Sequence, residues 1–434
     1  MPAKMSWSPD DLVQPDAVNA RVYSDPTLFR VEMHRIFTRS WNYVGHASQV
    51  PAAGDFFHTQ VARRAVLMIR QADGSISVIR NRCGHRGAQI IAARTGRCSV
   101  LRCPYHGWTY HNNGCLKSIP VPEGYDGTGL DVQGPEQRLP ALRSVNYRGF
   151  VFARLSRAGP AFEDWLGGAR RALDNMVERA PDGELEVAGG CLRAIQRNNW
   201  KIYLENLHDG MHPAVVHQSS IAASQAQRRR ALAETGEVPL PVQIVQGNAQ
   251  SLRQLAALEV SCYPHGHSDM RGFREPRSDD TVFAEYQATL ARGRGADNAT
   301  ATLDLNIHNA NFYPNFSVHP SFMQVRVLFP LAVNRTLIEH WTLRLKGAPD
   351  AFNRRNIVYA NTVHSPSSLI KPDDLEMYRR VQDGVAEGSG LWVSNHRRGE
   401  GEGKEADLSS ALSERFIRNQ YRAWRDYMGA PDAG

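Results

Sequence analysis

Two short segments pair cysteine with histidine: Cys83-Gly84-His85 and, seventeen residues further on, Cys103-Pro104-Tyr105-His106. A thiolate and an imidazole from each give four borderline-soft ligands. Such a set suits one tetrahedral zinc ion, or a two-iron, two-sulfur centre whose histidines share one iron, and spacing alone leaves both open. A second stretch, from Glu205-Asn206-Leu207-His208-Asp209 through Gly210-Met211-His212-Pro213 to His217, again brings histidine and carboxylate together. On a regular α-helix, residues five apart point about 140° away from each other, so His212 and His217 share an ion only if the helix breaks. Pro213 is a sufficient reason for a break between them. It lacks an N–H, and its ring clashes with the carbonyl of Asp209.

The loops around the first pair of segments, Cys83-Gly84-His85-Arg86-Gly87 and Cys103-Pro104-Tyr105-His106-Gly107-Trp108, resemble the two cluster loops of Rieske proteins. Glycine and proline fit a site where tight loops bring backbone N–H groups close to sulfur. Respiratory-chain members carry an extra cysteine in each loop, joined as a disulfide. The corresponding positions here are Ala88 and Tyr105, so that bridge cannot form, and the resemblance is to the domains of bacterial oxygenases and their ferredoxins. A free ferredoxin would stop not far beyond Lys117, whereas this sequence continues to Gly434.

The second stretch is similar to the mononuclear-iron motif of Rieske ring-hydroxylating oxygenases, Glu-Asn-x-x-Asp-x-x-His-x-x-x-x-His, and Asn199-Trp200-Lys201 before it matches as well. The resemblance implies that Cys83, His85, Cys103 and His106 hold a 2Fe-2S cluster, that His212 and His217 bind one Fe(II), and that Asp209 links the two metal sites. It places the third iron ligand in an Asp-Asp pair shortly before a glutamine, which Asp373-Asp374 and Gln382 match. Asp373 stands three residues before Glu376 at the start of an apolar-periodic run and is expected to be a helix N-cap, leaving Asp374 for the metal. His208 is expected to be a satisfied polar residue.

The activity implied is that of the large, catalytic subunit of a Rieske non-haem iron oxygenase, an aromatic ring-hydroxylating dioxygenase. Electrons from NADH would arrive through a separate flavin reductase, with or without a ferredoxin, and be used with O₂ to cis-dihydroxylate an aromatic ring. No G-x-G-x-x-G fingerprint follows a strand, so the nicotinamide site belongs to another protein. In the family, cluster and iron of neighbouring subunits work together, which implies a closed ring of three, as a homotrimer or capped by small β subunits. The length and the Ile417 to Met428 helix look more like the capped group. Trp41-Asn42-Tyr43-Val44-Gly45-His46, Asp373-Asp374-Leu375-Glu376-Met377-Tyr378 and Asn419-Gln420-Tyr421-Arg422-Ala423-Trp424 resemble anthranilate, salicylate and halobenzoate oxygenases. An aromatic carboxylate is the substrate class implied. An arginine could pair it bidentately, with nothing to say which one. The alternatives are a monooxygenase or demethylase on the same scaffold and, in another class, a cluster-only electron carrier.

The elements that must position these residues read as an α+β fold. Asp25-Pro26 opens an amphipathic helix in an N-terminal segment (1–40) expected to pack on the catalytic domain. A small all-β domain (41–155) follows, with hairpins 65–80 and 108–116 each ending at a ligand loop. The catalytic domain (156–434) is expected to hold a strand 185–197, a helix 199–217, a polar, loop-rich stretch 218–298 forming lids or pocket walls, an antiparallel meander over 311–345, and helices from 371 and around Ile417 to Met428. With 434 residues, 42% hydrophobic, the chain supports a large core. The net charge of +7 comes from dispersed arginines, and Arg228-Arg229-Arg230 is a solvated run without a nucleic-acid motif. No apolar run reaches the roughly 18 residues of a membrane helix, and no secretory pattern opens the chain, so a cytoplasmic location is expected. Cys98, Cys115, Cys191 and Cys262 are read as buried free thiols.

Overall fold

The computed structural model describes residues 7–131, 134, 137–247, 249–272, 281–388, 390–399, 402 and 408–431. The chain divides into two compact units, one formed by Phe37–Pro160 and the other by Met1–Ile36 with Ala161–Gly434.

The smaller unit is built of antiparallel strands. Asp55–Val61, Arg64–Arg70 and Ile76–Arg80 pair in sequence, with Thr95–Arg97 on the outer edge of the first. Val100–Arg102, Thr109–His111 and Leu116–Ser118 make a second sheet, and Asn42–His46, Phe150–Arg154 and Arg143–Tyr147 a third. The alternation that predicts the first hairpin places Leu67, Ile69 and Ile79 in one apolar cluster. That cluster also holds Leu101, Trp108, Tyr110, Cys83 and Cys103. The hairpins therefore share the packing that fixes the sulfur atoms.

In the larger unit an eight-stranded antiparallel sheet carries the helices. Its middle is the predicted meander, with strands Ile307–Phe312, Phe316–His319, Gln324–Ala332 and Arg335–Leu345. Leu185–Gln196 pairs beyond the last of these, and Ser268–Arg271 and Glu259–Cys262 extend the other side. Asp25 caps the helix Pro26–Glu32 by accepting from the N–H groups of Thr27 and Leu28. At the far end of this helix the fully buried Glu32 accepts from Lys201 Nζ at 2.6 Å and from the indole nitrogens of Trp200 and Trp424 at 2.9 and 2.7 Å. The last helix, Arg415–Gly429, buries the expected Tyr421, Trp424 and Met428, but Ile417 is only partly covered and Phe416 takes the buried place.

Three expectations need correction. The stretch 218–298 is largely helical where described: Gln218–Glu234, Leu240–Gln246, Leu252–Ala256, Thr281–Arg294 and Ala296–Asp304. Its first helix lacks a clean apolar stripe and buries only Ser220 and Ser224, so periodicity could not reveal it. The helix predicted over 199–217 is instead Trp200–Asn206, followed by a turn and the short helix Pro213–Val216. The four remaining cysteines are free but only partly buried.

Candidate metal centres and active-site cavity

The two cysteine loops are built alike. Cys83 N–H donates to Ala88 O and Gly87 N–H to Cys83 O; Cys103 N–H donates to Trp108 O and Gly107 N–H to Cys103 O, all at 2.8–3.1 Å. Each loop turns at a glycine with φ of +75° or +73°, a backbone state that side chains resist. Both cysteines are buried, whereas His85 is partly exposed and His106 exposed. The His85 and His106 rings lie 4.7 Å apart, and His85 stacks on Trp108 at 5.1 Å. Tyr110 Oη accepts from Gly84 N–H at 3.0 Å and lies 3.4 Å from Cys83 Sγ, and burial, then contact with Cys83, raises its pKa. A tetrahedral zinc site needs all four donors within one small coordination sphere. Among the described residues, His212, His217 and Asp374 form the one group of three or more whose donor atoms approach within 4.8 Å.

The second centre converges because the chain leaves the helix early. Trp200–Asn206 ends before the motif's aspartate, and Gly210 brings its backbone against the strand end at Ala411, where a Cβ would stand 2.8 Å from Ala411 O. Pro213 then starts the next helix at its first turn, with His212 as N-cap and His217 at the junction with Gln218–Glu234. The break thus precedes His212, and Pro213 opens a helix where it was expected to interrupt one. The imidazoles of His212 and His217 meet at a 76° angle, centroids 5.6 Å apart. Both Nε2 atoms approach Asp374 Oδ1, at 3.7 and 3.4 Å.

Each histidine's other nitrogen meets a second carboxylate: His212 Nδ1 stands 3.7 Å from Asp209 Oδ2, and His217 Nδ1 is 3.3 Å from Asp373 Oδ2. Asp373 is therefore not the N-cap expected of it. The helix Lys371–Ala386 starts one turn earlier, with Ile370 as N-cap, and Asp373 also accepts from Ser220 Oγ at 2.9 Å. Its partner His217 lies 156 residues away in sequence, so local reading had no signal for the contact. Burial disfavours a charged His212, yet the carboxylates of Asp209 and Asp374 outweigh it and raise its pKa. Asp209 responds in the opposite sense. Burial pushes its carboxyl up, and His212, the Met211 N–H and Arg397 together hold it below the ordinary value. His208 is fully buried, hydrogen-bonds Ser268 Oγ at 2.8 Å, and is held neutral by burial at a pKa of about 3.

The donor set fits one ion of the two-histidine, one-carboxylate class. Asp374 Oδ1, at the centre of the three groups, is buried and has no hydrogen-bond partner, a costly state that a cation would relieve. Beside it lies a cavity of about 120 Å³ lined by the three donor residues, by Leu255, Leu258, Met270, Val363 and Ile370, and by several polar groups.

Family models match both units: the Rieske [2Fe-2S] domain over residues 40–134 and the ring-hydroxylating alpha subunit (catalytic domain) over 162–430. The chain belongs to the ring-hydroxylating alpha-subunit family. Among curated relatives, the toluate 1,2-dioxygenase subunit alpha of Pseudomonas putida is 30% identical, covering 94% of this chain and 90% of its own length. The 2-halobenzoate 1,2-dioxygenase large subunit of Burkholderia cepacia is also 30% identical, over 86% and 77%. The N,N-dimethyl phenylurea N-demethylase subunit alpha of Sphingobium is 29% identical, over 83% and 78%. A crystal structure of naphthalene 1,2-dioxygenase superposes with a TM-score of 0.80 over 98% of this chain and 96% of its own, at 23% identity, which shows the shared fold. The family is that of Rieske oxygenases with one 2Fe-2S cluster and one mononuclear non-haem iron, their electrons drawn indirectly from NADH. The reading as a cluster-only carrier falls with the match to the catalytic domain.

Proposed function

We propose that this alpha subunit is the terminal oxygenase for a single-ring aromatic carboxylate such as anthranilate, salicylate or a benzoate, and that it cis-dihydroxylates the ring. The observation that carries this reading is the cavity at the candidate iron site. Apolar side chains of Leu255, Leu258, Val363 and Ile370 share its wall with polar and charged groups, the mixed lining that suits an aromatic ring bearing a polar substituent. The names of the toluate and 2-halobenzoate relatives support an acid on that ring.

In this reading Cys83, His85, Cys103 and His106 hold the cluster, and His212, His217 and Asp374 hold the iron. When bound, these groups supply one-electron transfer and activation of dioxygen. The protein's part is positional. Asp373 and Asp209 orient the two imidazoles through their Nδ1 atoms, so that both Nε2 atoms point at the same place. Leu255, Leu258, Val363 and Ile370 line the cavity, keep water away and hold a ring beside the donor trio. Asp209, one quarter exposed, is the carboxylate that joins His212 to a cluster histidine of a neighbouring chain in a ring of three, with or without small β subunits. A separate flavin reductase, with or without a ferredoxin, delivers electrons to the cluster in the cytoplasm. No described helix is long and apolar enough to cross a membrane.

The test is turnover of a panel of benzoates, salicylate and anthranilate with ¹⁸O₂ and a surrogate reductase. A cis-diol carrying two labelled atoms supports the proposal. The demethylase relative favours a second reading, and a product with one labelled oxygen, or release of formaldehyde from an N-methyl substrate, would establish that one in its place.

A further inference from the structure

The sheet face beneath the cavity carries a positive charge with no counter-ion among the described residues. Strand Gln324–Ala332 sets Arg326 between Ser317 on one neighbouring strand and His340 on the other. Arg326 is buried, 2% exposed, and it lines the same cavity as His212, His217 and Asp374. Its hydrogen bonds among the described residues are both made by Nη1, to Asn309 Oδ1 at 2.7 Å and Ser317 Oγ at 3.4 Å. Nε is buried and has no partner. The Nε and Nη2 edge of a guanidinium is one of the two forks that grip a carboxylate bidentately, and here that edge is uncommitted.

Among the described residues, no carboxylate in the cavity wall pairs with this cation. The two carboxylates lining it, Asp209 and Asp374, are engaged at the metal end, with His212 and Arg397 and with the histidine pair and Lys371 respectively. The nearby His319, also lining the cavity and fully buried, has both ring nitrogens without partners, and burial and neighbouring positive groups keep it neutral. Burying a guanidinium without a counter-ion is costly, and a bound anion removes that penalty.

From this geometry we propose that Arg326 is the residue that recognises the substrate's carboxylate, through the part of its guanidinium that Asn309 and Ser317 do not hold, and so fixes which ring carbons face the iron. The inference rests on the reading of the site as one for an aromatic acid and names the group that makes it so. Ser317, small at the neighbouring register position, leaves the guanidinium room and holds its other end.

The test is binding without turnover: calorimetric titration of the iron-loaded protein, anaerobic and without reductant, with benzoate, salicylate and anthranilate and with nitrobenzene as the uncharged near-isostere of benzoate. The wild type should bind at least one acid. Arg326→Met should weaken that acid by about 10- to 100-fold, the worth of a hydrogen-bonded charge, and leave nitrobenzene within about threefold. Arg326→Lys, which keeps the charge and loses the fork, should fall between them. Circular dichroism and iron content establish that each variant is folded, and if the Met variant is not, the Lys variant carries the test by the same acid-selective loss. If an acid binds the wild type and both folded variants alike, or if acid and nitrobenzene weaken together, Arg326 is not the anchor and the aromatic-acid reading stands. If no acid binds the wild type, the reading and the assignment fall together.

Discussion

Replacing Asp373 separates metal retention from everything else in the site. Its Oδ2 lies 3.3 Å from His217 Nδ1 and accepts from Ser220 Oγ, while the other face of the imidazole looks at Asp374 Oδ1 from 3.4 Å. Losing the carboxylate that orients a ligand histidine costs about 10- to 100-fold in metal affinity, or about 1.4–2.8 kcal/mol. Asp373→Ala removes both the negative charge and the acceptor and should sit at the upper end. Asp373→Asn keeps an acceptor that can turn toward Nδ1 and should sit at the lower end. Asp209 provides the internal comparison: at 3.7 Å its hold on His212 is longer, so Asp209→Ala should cost less iron affinity than Asp373→Ala. The assay is anaerobic Fe(II) titration against a competing chelator, with the cluster absorption reporting the concentration of intact protein. Affinity within about twofold of wild type for Asp373→Ala, or a larger loss for Asp209→Ala, would refute the orienting argument, since losing a carboxylate that orients a ligand histidine exceeds that range.

Cys103→Ser should abolish the Rieske absorption and the low-average-g electron resonance signal of the reduced protein while leaving the mononuclear site able to take iron; a wild type that is colourless and holds zinc would end the cluster assignment. Glu32→Gln leaves the Lys201 ammonium unpaired where both side chains are fully buried, which costs about 3–5 kcal/mol, so thermal unfolding of the larger unit should move clearly downward; an unchanged Tm would show that the pair is not the anchor described. Asp209→Ala chains should be nearly inactive yet retain cluster and iron. Mixed rings of tagged Asp209→Ala and His85→Ala chains should regain part of the activity, and the absence of any gain over both parents would remove the inter-subunit role of Asp209.

The two cysteine-histidine loops and the histidine pair were legible in the sequence because each is local. Each Rieske loop is a short segment whose glycines and cysteines sit within five residues of one another, and His212 and His217 sit on one turn-and-helix stretch. Contacts between distant segments of the chain were not legible. Asp373 reads as a cap in isolation, and its pairing with His217 depends on two helices meeting. Arg326 is one arginine among many until strand register sets it beneath the cavity; the available hint was a lone charge flanked by Val325 and Val327 in an otherwise apolar strand. The segments that resemble benzoate-type enzymes mostly hold the scaffold. Asn419 Nδ2 donates to Tyr263 O and His267 O, Tyr421 Oη to Glu205 and Trp424 Nε1 to Glu32, so their likeness reflects a shared core more than a shared substrate. Gln382 behaves similarly: it binds Asn199 N–H and Tyr23 O, which fastens the helix bearing Asp374 and explains its place after the aspartate pair.

The Glu32 anchor also sets an order of assembly. Residues 37–160 emerge from the ribosome as one continuous unit and have all their own strand partners as soon as they are made. The segment before them has not: Glu32 waits for Lys201, 169 residues further on, and then for Trp424, 392 residues further on. Domains fold as units during translation, earliest first. The iron-sulfur loops can thus be closed and loaded on a nascent chain whose leading segment, with Leu28, Phe29 and Ile36 still uncovered, has nothing to pack against. A chain stopped short of Trp424 would keep a closed cluster unit while Glu32 lacked its last partner.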